Sequence, residues 1–247
     1  MSPPPDVTIV IPIHNEEPIL TAALLELRDR LAPCPWSREI VLAENGSRDR
    51  TAEVAGELAA RFPEVSTFSV GEPNYGRALR LGIERARGEI VICEEIDLCN
   101  VGFHQAAVSL LQERPSEGTA SDTVSIDMVI GSKLLAGSAD ERPWLRHAAS
   151  QLYNGLLRFG LGFRGTDTHG LKAFRKSTVG PIAARCVIEK DVFASELVIR
   201  AYRAGCNVRE IPVRLREKRP PSINLLRRVP NVVRSLGKLA WAIRVKG

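Results

Sequence analysis

The chain has 247 residues, 44% hydrophobic and 26% charged, as expected of a globular protein with one large domain or two small ones. Aromatic residues are only 5%, which argues against a stacking platform for nucleic acid. The five cysteines are scattered without a CxxC pair, which favours reduced thiols and a cytoplasmic location. The net charge of +5 is uneven, because residues 214–247 hold ten Lys or Arg and one acid while the rest is net acidic. An anionic partner is therefore expected near the C-terminus.

Four runs in the first half predict strands, and the apolar runs over residues 7–13 and 39–43 are typical of strands buried on both faces. The third and fourth strands are predicted over residues 65–70 and 89–93. Each of the first three strands is followed by apolar residues at helical spacing. Pro18 marks the start of the first helix, and Ser47 or Asp49 is a possible cap of the second. This alternation predicts a mostly parallel α/β sheet flanked by helices, with ligands at the carboxyl ends of the strands.

The second half of the chain is less regular. It predicts a strand over 123–133, a helix over 143–159, a strand or turn within 167–177, a helix ending at Gly205 and a strand over 207–215. No repeat or low-complexity linker divides the chain. We therefore predict one domain over residues 1–221, followed by a tail over 222–247.

Polar clusters follow all four strands of the first half. They are HNEE (14–17), ENGS (44–47), NYGR (74–77) and EEID (94–97). Loops are commonly polar, yet four such clusters at one edge of one sheet indicate a site. The chain has no GxGxxG, GxxxxGK[ST], HExxH or GxSxG motif. Carboxylates in small number suit Mg²⁺ or Mn²⁺ with a diphosphate completing the shell, and Glu95 and Asp97 are spaced to share such an ion.

The motifs VTIVIPIHNEE, ENGSRDRT, NYGRALRLGIERARGEIVICEEIDL and GSKLLAGS resemble, in order and spacing, those of family 2 glycosyltransferases with the GT-A fold. The later run GSK…RPWLRHAASQLYN…DTHGLKAFRK resembles the polyprenyl-phosphate sugar synthases, of the dolichyl-phosphate mannose or glucose kind. The resemblance covers about residues 7–215. It implies an inverting transfer of a sugar from a nucleotide-diphosphate sugar, GDP-mannose or a UDP-hexose, to a polyprenyl phosphate, with Mg²⁺ or Mn²⁺.

The resemblance also implies a set of site residues. The metal motif falls on Glu95 and Asp97, and the acceptor-phosphate positions fall on Lys133, Arg146 and Ser150, which with Asp97 form the predicted catalytic set. The predicted donor-binding residues are Pro12, Asn15, Glu16, Asn45, Asp49, Asn74, Gly76, Arg77, Glu95, Ile96, Asp97, Asp167 and Gly170. A phosphate acceptor is largely dianionic near neutral pH and needs no strong general base. The remaining work is to position the acceptor and stabilise the leaving group.

Four positions depart from the family pattern. Glu95 replaces the first Asp of the metal motif, Asn45 stands where an Asp is usual, Cys99 where a Gln is usual, and Lys133 where an Arg is usual. These departures leave two alternatives open. One is a GT-A transferase with a non-lipid acceptor, and the other is a divergent nucleotide-sugar binding protein without catalysis.

The tail predicts a basic amphipathic helix, because apolar residues recur at helical spacing between residues 225 and 243 with basic residues among them. Such a helix suits either an anionic membrane surface or packing on the domain. The sequence shows neither a signal-peptide pattern nor an apolar run long enough to span a membrane. We expect a cytoplasmic protein, peripheral at the inner face of the membrane, with no nucleic-acid partner.

Overall fold

A computed structural model shows a sheet with helices on both faces, and it describes residues 3–113, 125–135, 155–158, 160–168, 170–189, 192–213, 234 and 237–244. The strands are β1 (Val7–Ile13), β2 (Arg38–Glu44), β3 (Val65–Ser69), β4 (Ile90–Cys93), β5 (Met128–Ser132), β6 (Leu171–Arg175) and β7 (Val208–Pro212). The main helices are α1 (Leu20–Leu31), α2 (Thr51–Arg61), α3 (Tyr75–Arg85), α4 (Val101–Gln112), α5 (Lys176–Arg185) and α6 (Phe193–Arg203). Residues 155–158, 160–161 and 237–244 are also helical.

The seven strands lie in the order β3-β2-β1-β4-β6-β5-β7. Strands β1 to β4 are mutually parallel, whereas β6 runs antiparallel to both β4 and β5. Because β2 and β4 lie on opposite sides of β1, the strand order reverses beside β1. In sheets of this kind, ligands bind at the carboxyl ends of the strands next to that reversal. The loops after β1 and β4 therefore lie where a site is expected, and the predicted mostly parallel sheet is confirmed.

The central strands are buried on both faces, as their uninterrupted apolar composition predicts. In β1, Ile9 and Ile11 belong to one core cluster and Val10 to the other. The first cluster packs under α1, α2 and α4, and the second under α3, α5 and α6. This double cover fixes the strand register and leaves the loops at the strand ends as the accessible edge.

The second half differs from its predicted bounds. The strand predicted over 123–133 is shorter, at Met128–Ser132, and the predicted strand or turn within 167–177 contains β6 and the start of α5. The predicted helix over 143–159 lies mostly outside the described residues. The helix end at Gly205 is confirmed: α6 stops at Arg203, and Gly205 has φ +79°, a conformation that favours glycine.

Gly56 and Gly82 give opposite predictions for the same substitution. A Cβ at Gly56 would meet no atom within 4 Å, whereas at Gly82 it would lie 2.3 Å from Val10 Cγ1 of β1. We expect Gly56→Ala to raise the free energy of unfolding by about 0.5–1 kcal/mol, because alanine loses less entropy in a helix. Gly82→Ala should lower it by about 1–3 kcal/mol through overpacking. Denaturant unfolding measures both, and a gain at Gly82 would contradict the close packing of α3 on β1.

The C-terminal helical residues 237–244 pack on the domain. Leu239, Ala242 and Ile243 are buried, and the Arg200 guanidinium of α6 donates to the Ala242 carbonyl at 3.1 Å. Of the two roles predicted for the tail, a membrane surface contact or packing on the domain, these residues show packing on the domain. Trp241 nevertheless remains 53% exposed on the outer face. Across the described residues, no helix combines the length and apolar character needed to cross a bilayer.

Candidate functional site

The loop after β1 is tied to the loop after β2. Asn15 has φ +55°, its backbone N–H donates to Ser47 Oγ at 3.0 Å, and its Oδ1 accepts from the Arg48 backbone at 2.9 Å. The Glu16 backbone donates to Thr51 Oγ1 at 2.7 Å. Asparagine tolerates the left-handed conformation better than most residues. Asn15 therefore shapes the first loop and joins it to the second.

Asn45 and Asn74 are buried and link the loops after β1, β2 and β3. The Asn45 backbone donates to the Ile13 carbonyl at 2.8 Å, and its side-chain oxygen accepts the backbone N–H of Asn74. Asn74 in turn caps α3, since its Oδ1 accepts from the Arg77 backbone at 3.1 Å. The structure thus gives both residues of the predicted donor-binding set a bracing role in the scaffold.

Pro12 and Asp49 complete the predicted residues of the first two loops. Pro12 is half-buried near the carboxyl end of β1, opposite Ala43 of β2. Asp49 accepts from the Thr51 hydroxyl at 2.5 Å and from the Thr51 backbone at 3.0 Å. These hydrogen bonds, the one from the hydroxyl foremost, lower the pKa of Asp49. Asp49 therefore supports the start of α2, but the N-cap of this helix is Arg50, so the prediction of Ser47 or Asp49 as the cap is wrong.

The loop at residues 74–77 rests on a segment distant in the sequence. A Cβ at Gly76 would lie 2.4 Å from the Glu189 carbonyl oxygen, so only glycine allows this approach. The Glu189 carboxylate accepts from Asn74 Nδ2 at 3.2 Å and from Arg80 at 2.7 Å. The Arg77 side chain bonds to Glu72 at 3.2 Å. Sequence reasoning missed Glu189, because nothing local marks a contact across more than a hundred residues.

The three carboxylates after β4 have separate surroundings. Glu94 is buried, and its carboxylate faces inward to His104 Nε2 at 2.7 Å. Glu95 is exposed and Asp97 is half-buried, while Ile96 between them is buried at 3% exposure. Two of the three carboxylates therefore reach the accessible edge.

Cys99 does not point toward that edge. Its side chain is fully buried in the core cluster under α1 and α4, and its Sγ donates to the Ile96 carbonyl at 3.2 Å. The position where the family usually has a Gln therefore presents no side chain to a bound cation in this chain.

Glu95 lies among charged groups of both signs. Although its side chain is exposed, desolvation by the protein around its carboxyl group raises the pKa of Glu95 to about 7. Repulsion from Asp97 and Glu94 adds to this shift, whereas the positive charges of Lys133 and Lys172 oppose it. The sheet places these groups at one edge, because Lys133 follows the end of β5 and Lys172 lies near the start of β6, next to the end of β4. This region at the carboxyl ends of β1 and β4 is called the cleft. The structure thus brings together the predicted residues Glu95, Asp97 and Lys133.

Lys172 is a charged residue of this cleft that sequence reasoning missed. It lies on β6 opposite Cys93 of β4, it is 4% exposed, and its Nζ donates to the Gly170 carbonyl at 2.6 Å. Burial lowers its pKa, while Cys93, Asp167 and Glu95 oppose that shift. A signal was present in the sequence, because a lysine interrupts the apolar run LKAF of a buried strand.

Tyr75, the first residue of α3, was also missed. Burial foremost, then the charges of Glu95, Cys93 and Glu94, raise its pKa well above the usual value. Its side chain nevertheless keeps an exposure of 36%, so it lines the cleft beside the carboxylates. The only signal was its place inside the NYGR cluster.

Asp167 is held between two anchored threonines. The Thr166 hydroxyl donates to Glu210 at 2.6 Å, and Thr168 Oγ1 lies 2.9 Å from Ser195 Oγ. Asp167 itself is 1% exposed and acts electrostatically on Lys172, which places it at the inner wall of the cleft.

Gly170 follows on the same wall, and a Cβ there would lie 2.0 Å from the Gly131 carbonyl oxygen. Only glycine lets the start of β6 approach β5 so closely. Arg146 and Ser150, predicted at the acceptor phosphate, lie outside the described residues.

The residues at the cleft fit a divalent cation that is shared with a ligand. Among the described residues, no group of three or more His, Cys, Asp or Glu is arranged to hold a metal ion. Glu95 and Asp97 would supply two oxygen ligands, and a diphosphate with water would supply the rest. Burial is the main cause of the raised pKa of Glu95, and a cation would offset the repulsion from Asp97 and Glu94 that adds to it.

Comparison with known proteins places this geometry in context. The model of Glycosyl transferase family 2 matches residues 8–100. Glycosyltransferase AglD of Haloferax volcanii is 27% identical over 98% of this chain and 38% of its own length. The undecaprenyl-phosphate 4-deoxy-4-formamido-L-arabinose transferase of Pseudomonas aeruginosa is 30% identical over 82% of this chain and 56% of its own length. The chain therefore spans only about 38–56% of the length of these relatives.

A solved structure shows the same fold. Glucosyl-3-phosphoglycerate synthase from Mycobacterium tuberculosis, in complex with Mn²⁺, UDP and glucosyl-3-phosphoglycerate, has a TM-score of 0.60 at 18% identity. The match covers 97% of this chain and 77% of that one. The predicted GT-A fold and the resemblance to family 2 are both confirmed.

Proposed function

Because the chain carries a glycosyl transferase family 2 domain with the GT-A fold, we propose that it is an inverting glycosyltransferase acting on a polyprenyl phosphate. The observation that carries this proposal is the cleft at the carboxyl ends of β1 and β4, which collects Glu95, Asp97, Lys133 and Lys172 at one edge of the sheet. Carboxylates suit the cation of a donor diphosphate, and ammonium groups suit phosphate oxygens. The similarity to the Pseudomonas aeruginosa undecaprenyl-phosphate sugar transferase supports the choice of acceptor.

The reaction requires one displacement at the anomeric carbon. An oxygen of the acceptor phosphate forms the new C–O bond, the bond to the nucleoside diphosphate breaks, and the anomeric configuration inverts. A bound divalent cation would neutralise charge on the departing diphosphate. Lys133 positions the acceptor phosphate, and Glu95 and Asp97 hold the donor end of the cleft. The predicted roles of Arg146 and Ser150 at that phosphate belong to the same proposal.

The acceptor also implies a peripheral encounter with a membrane. Lys238, Trp241 and Arg244 lie on the exposed face of the C-terminal helical residues, whose apolar residues pack inward. A tryptophan between basic residues suits an anionic lipid interface. Sedimentation with anionic vesicles tests this part, and Trp241→Ser should reduce the bound fraction without loss of folding.

A turnover screen tests the proposed function. The full chain is given GDP-mannose, UDP-glucose or UDP-GlcNAc with a polyprenyl phosphate and Mg²⁺ or Mn²⁺, and EDTA is the control. A lipid-linked sugar that is labile to mild acid and lost with EDTA is expected with at least one donor. Transfer to soluble sugars alone would favour the non-lipid acceptor. Nucleotide binding without turnover would favour the binding protein.

Mn²⁺ binding is expected to depend on pH through Glu95. Because the pKa of Glu95 is raised to about 7, a proton competes with the metal below that pH. The ionised fraction falls about tenfold between pH 8 and pH 6, so Mn²⁺ affinity should weaken by about the same factor. Calorimetric titration at several pH values measures this, and Glu95→Gln should flatten the profile. A flat profile in the unaltered chain would contradict the assignment.

Lys133 is expected to control acceptor binding. Lys133→Met should raise the KM for the polyprenyl phosphate by about 10- to 100-fold, the effect of losing a charge-assisted hydrogen bond. Lys133→Arg should retain binding, because a guanidinium also grips phosphate. Initial rates at varied acceptor concentration measure both variants. An unchanged KM in Lys133→Met would remove Lys133 from the acceptor site.

A further inference from the structure

We propose that His104 is a positioning residue for the metal loop, residues 95–100, and that it acts through Glu94. The proposal rests on the proposed function, because that function assigns the cation to Glu95 and Asp97. Neither His104 nor Glu94 faces the cleft, since both side chains are fully buried beneath the loop. They are therefore not ligands, and their effect on the site can only be indirect.

The Glu94 carboxylate gathers both ends of the metal loop. Its Oε1 accepts the backbone N–H of Glu95 at 2.9 Å, and its Oε2 accepts the backbone N–H of Asn100, also at 2.9 Å. The Glu94 backbone is itself fixed to β1, donating to the Val10 carbonyl at 3.0 Å. One buried side chain thus sets the separation of the first and last residues of the loop.

His104 completes this arrangement from the first turn of α4. Its Nε2 lies 2.7 Å from Glu94 Oε2. Because both oxygens of Glu94 already accept backbone N–H groups, we assign the His104 contact as an Nε2–H donor. The other ring nitrogen, Nδ1, is buried and has no hydrogen bond within the described residues. The polar contact of the ring is therefore directed at Glu94.

The loop needs such support because its backbone is tightly turned. The backbone N–H groups of Leu98 and Cys99 both reach the Glu95 carbonyl, at 3.0 and 3.3 Å. Cys99 has φ +43°, which is costly for a residue with a side chain. This turn brings Asp97 back beside Glu95, so its shape sets how the two carboxylates meet a cation.

Core packing alone does not explain why the buried pair formed by Glu94 and His104 is polar. Two apolar side chains would fill the same space without the cost of burying polar groups. The polar pair adds a fixed position for the two backbone groups at the loop ends. Partners behind metal ligands typically change metal affinity by about 10- to 100-fold when lost.

Three variants of the full chain separate positioning from stability. His104→Leu removes the donor, His104→Gln keeps an N–H donor, and Val108→Ala truncates a buried residue one turn further along α4. Two readouts are taken: amide hydrogen exchange of residues 94–101 without metal, and the affinity for Mn²⁺ alone from the paramagnetic resonance of free Mn²⁺. His104→Leu should speed exchange at Glu95 and Asn100 and weaken Mn²⁺ binding by about tenfold or more.

The controls should respond differently. His104→Gln should stay close to the unaltered chain in both readouts, and Val108→Ala should lower the unfolding midpoint while leaving loop exchange and Mn²⁺ affinity unchanged. Should His104→Leu fail to fold, Glu94→Gln replaces it, since it keeps the shape and weakens the acceptor.

Unchanged loop exchange in His104→Leu would overturn the proposal, and so would faster exchange with unchanged Mn²⁺ affinity. If Val108→Ala lost as much Mn²⁺ affinity as His104→Leu, the loss would follow from lower stability alone, and the proposal would be overturned as well. If the unaltered chain binds no Mn²⁺, the cation of the proposed function fails. Loop exchange, measured without metal, then still decides whether His104 positions the loop, so the two failures are distinguished.

Discussion

Asp97→Asn is expected to lower the rate of sugar transfer by about a thousandfold. Asp97 is one of two carboxylates that reach the cleft after β4, since Glu94 is turned inward to His104. The amide keeps the size of the side chain and removes its charge, so the cation is held more weakly and the departing diphosphate loses stabilisation. Measurement of kcat/KM at saturating Mn²⁺ tests the effect on the transition state.

A matched control lies at the other end of β4. Glu89 precedes this strand, is exposed, and accepts a hydrogen bond from the Ser177 hydroxyl. Glu89→Gln makes the same kind of change at the amino end of the sheet, where no site is expected, so transfer should be unchanged. Retention of more than about a tenth of the rate by Asp97→Asn would exclude a main role for this carboxylate in leaving-group stabilisation.

The sequence predicts β1, β2 and β4 well because burial on both faces leaves a direct mark on composition, whereas β3 lies at the edge of the sheet and is mostly not buried. A run such as VTIVIPI has no polar face, and only a central strand of a parallel sheet suits it. The direction of β6 has no such mark, since LKAFR suits either orientation. The direction is fixed by pairing with β4 and β5 and was not predicted from the residues.

The site residues show a different limit. Asn45 and Asn74 are in the predicted donor-binding set, and the structure uses their side chains to join loops. A ligand contact and a scaffold contact require the same amide, so residue type alone does not separate them. Lys172 could have been found, because a charge within a buried strand needs a reason. Its relation to Glu95 and Asp167 depends on the fold.

Glu196 illustrates how a buried residue can act on the site from the core. It is fully buried in α6, where its carboxylate accepts the backbone N–H groups of Val187 and Ile188 and pairs with Arg200 at 2.8 Å. These bonds hold the segment after α5, whose Glu189 braces the loop at residues 74–77. A core ion pair is thus linked to the donor side of the cleft.

Glu196→Ala is therefore expected to lower the free energy of unfolding by about 3–5 kcal/mol, because Arg200 loses its buried carboxylate partner and backbone donors lose their acceptor. Denaturant unfolding measures this loss. Glu53→Gln is the control: Glu53 also pairs with an arginine at 2.8 Å, but both side chains are more than half exposed, and no measurable loss is expected. Equal stability of the two variants would show that burial does not set the strength of the Glu196 contacts. Nucleotide affinity should also fall in Glu196→Ala, since the segment bracing residues 74–77 is released.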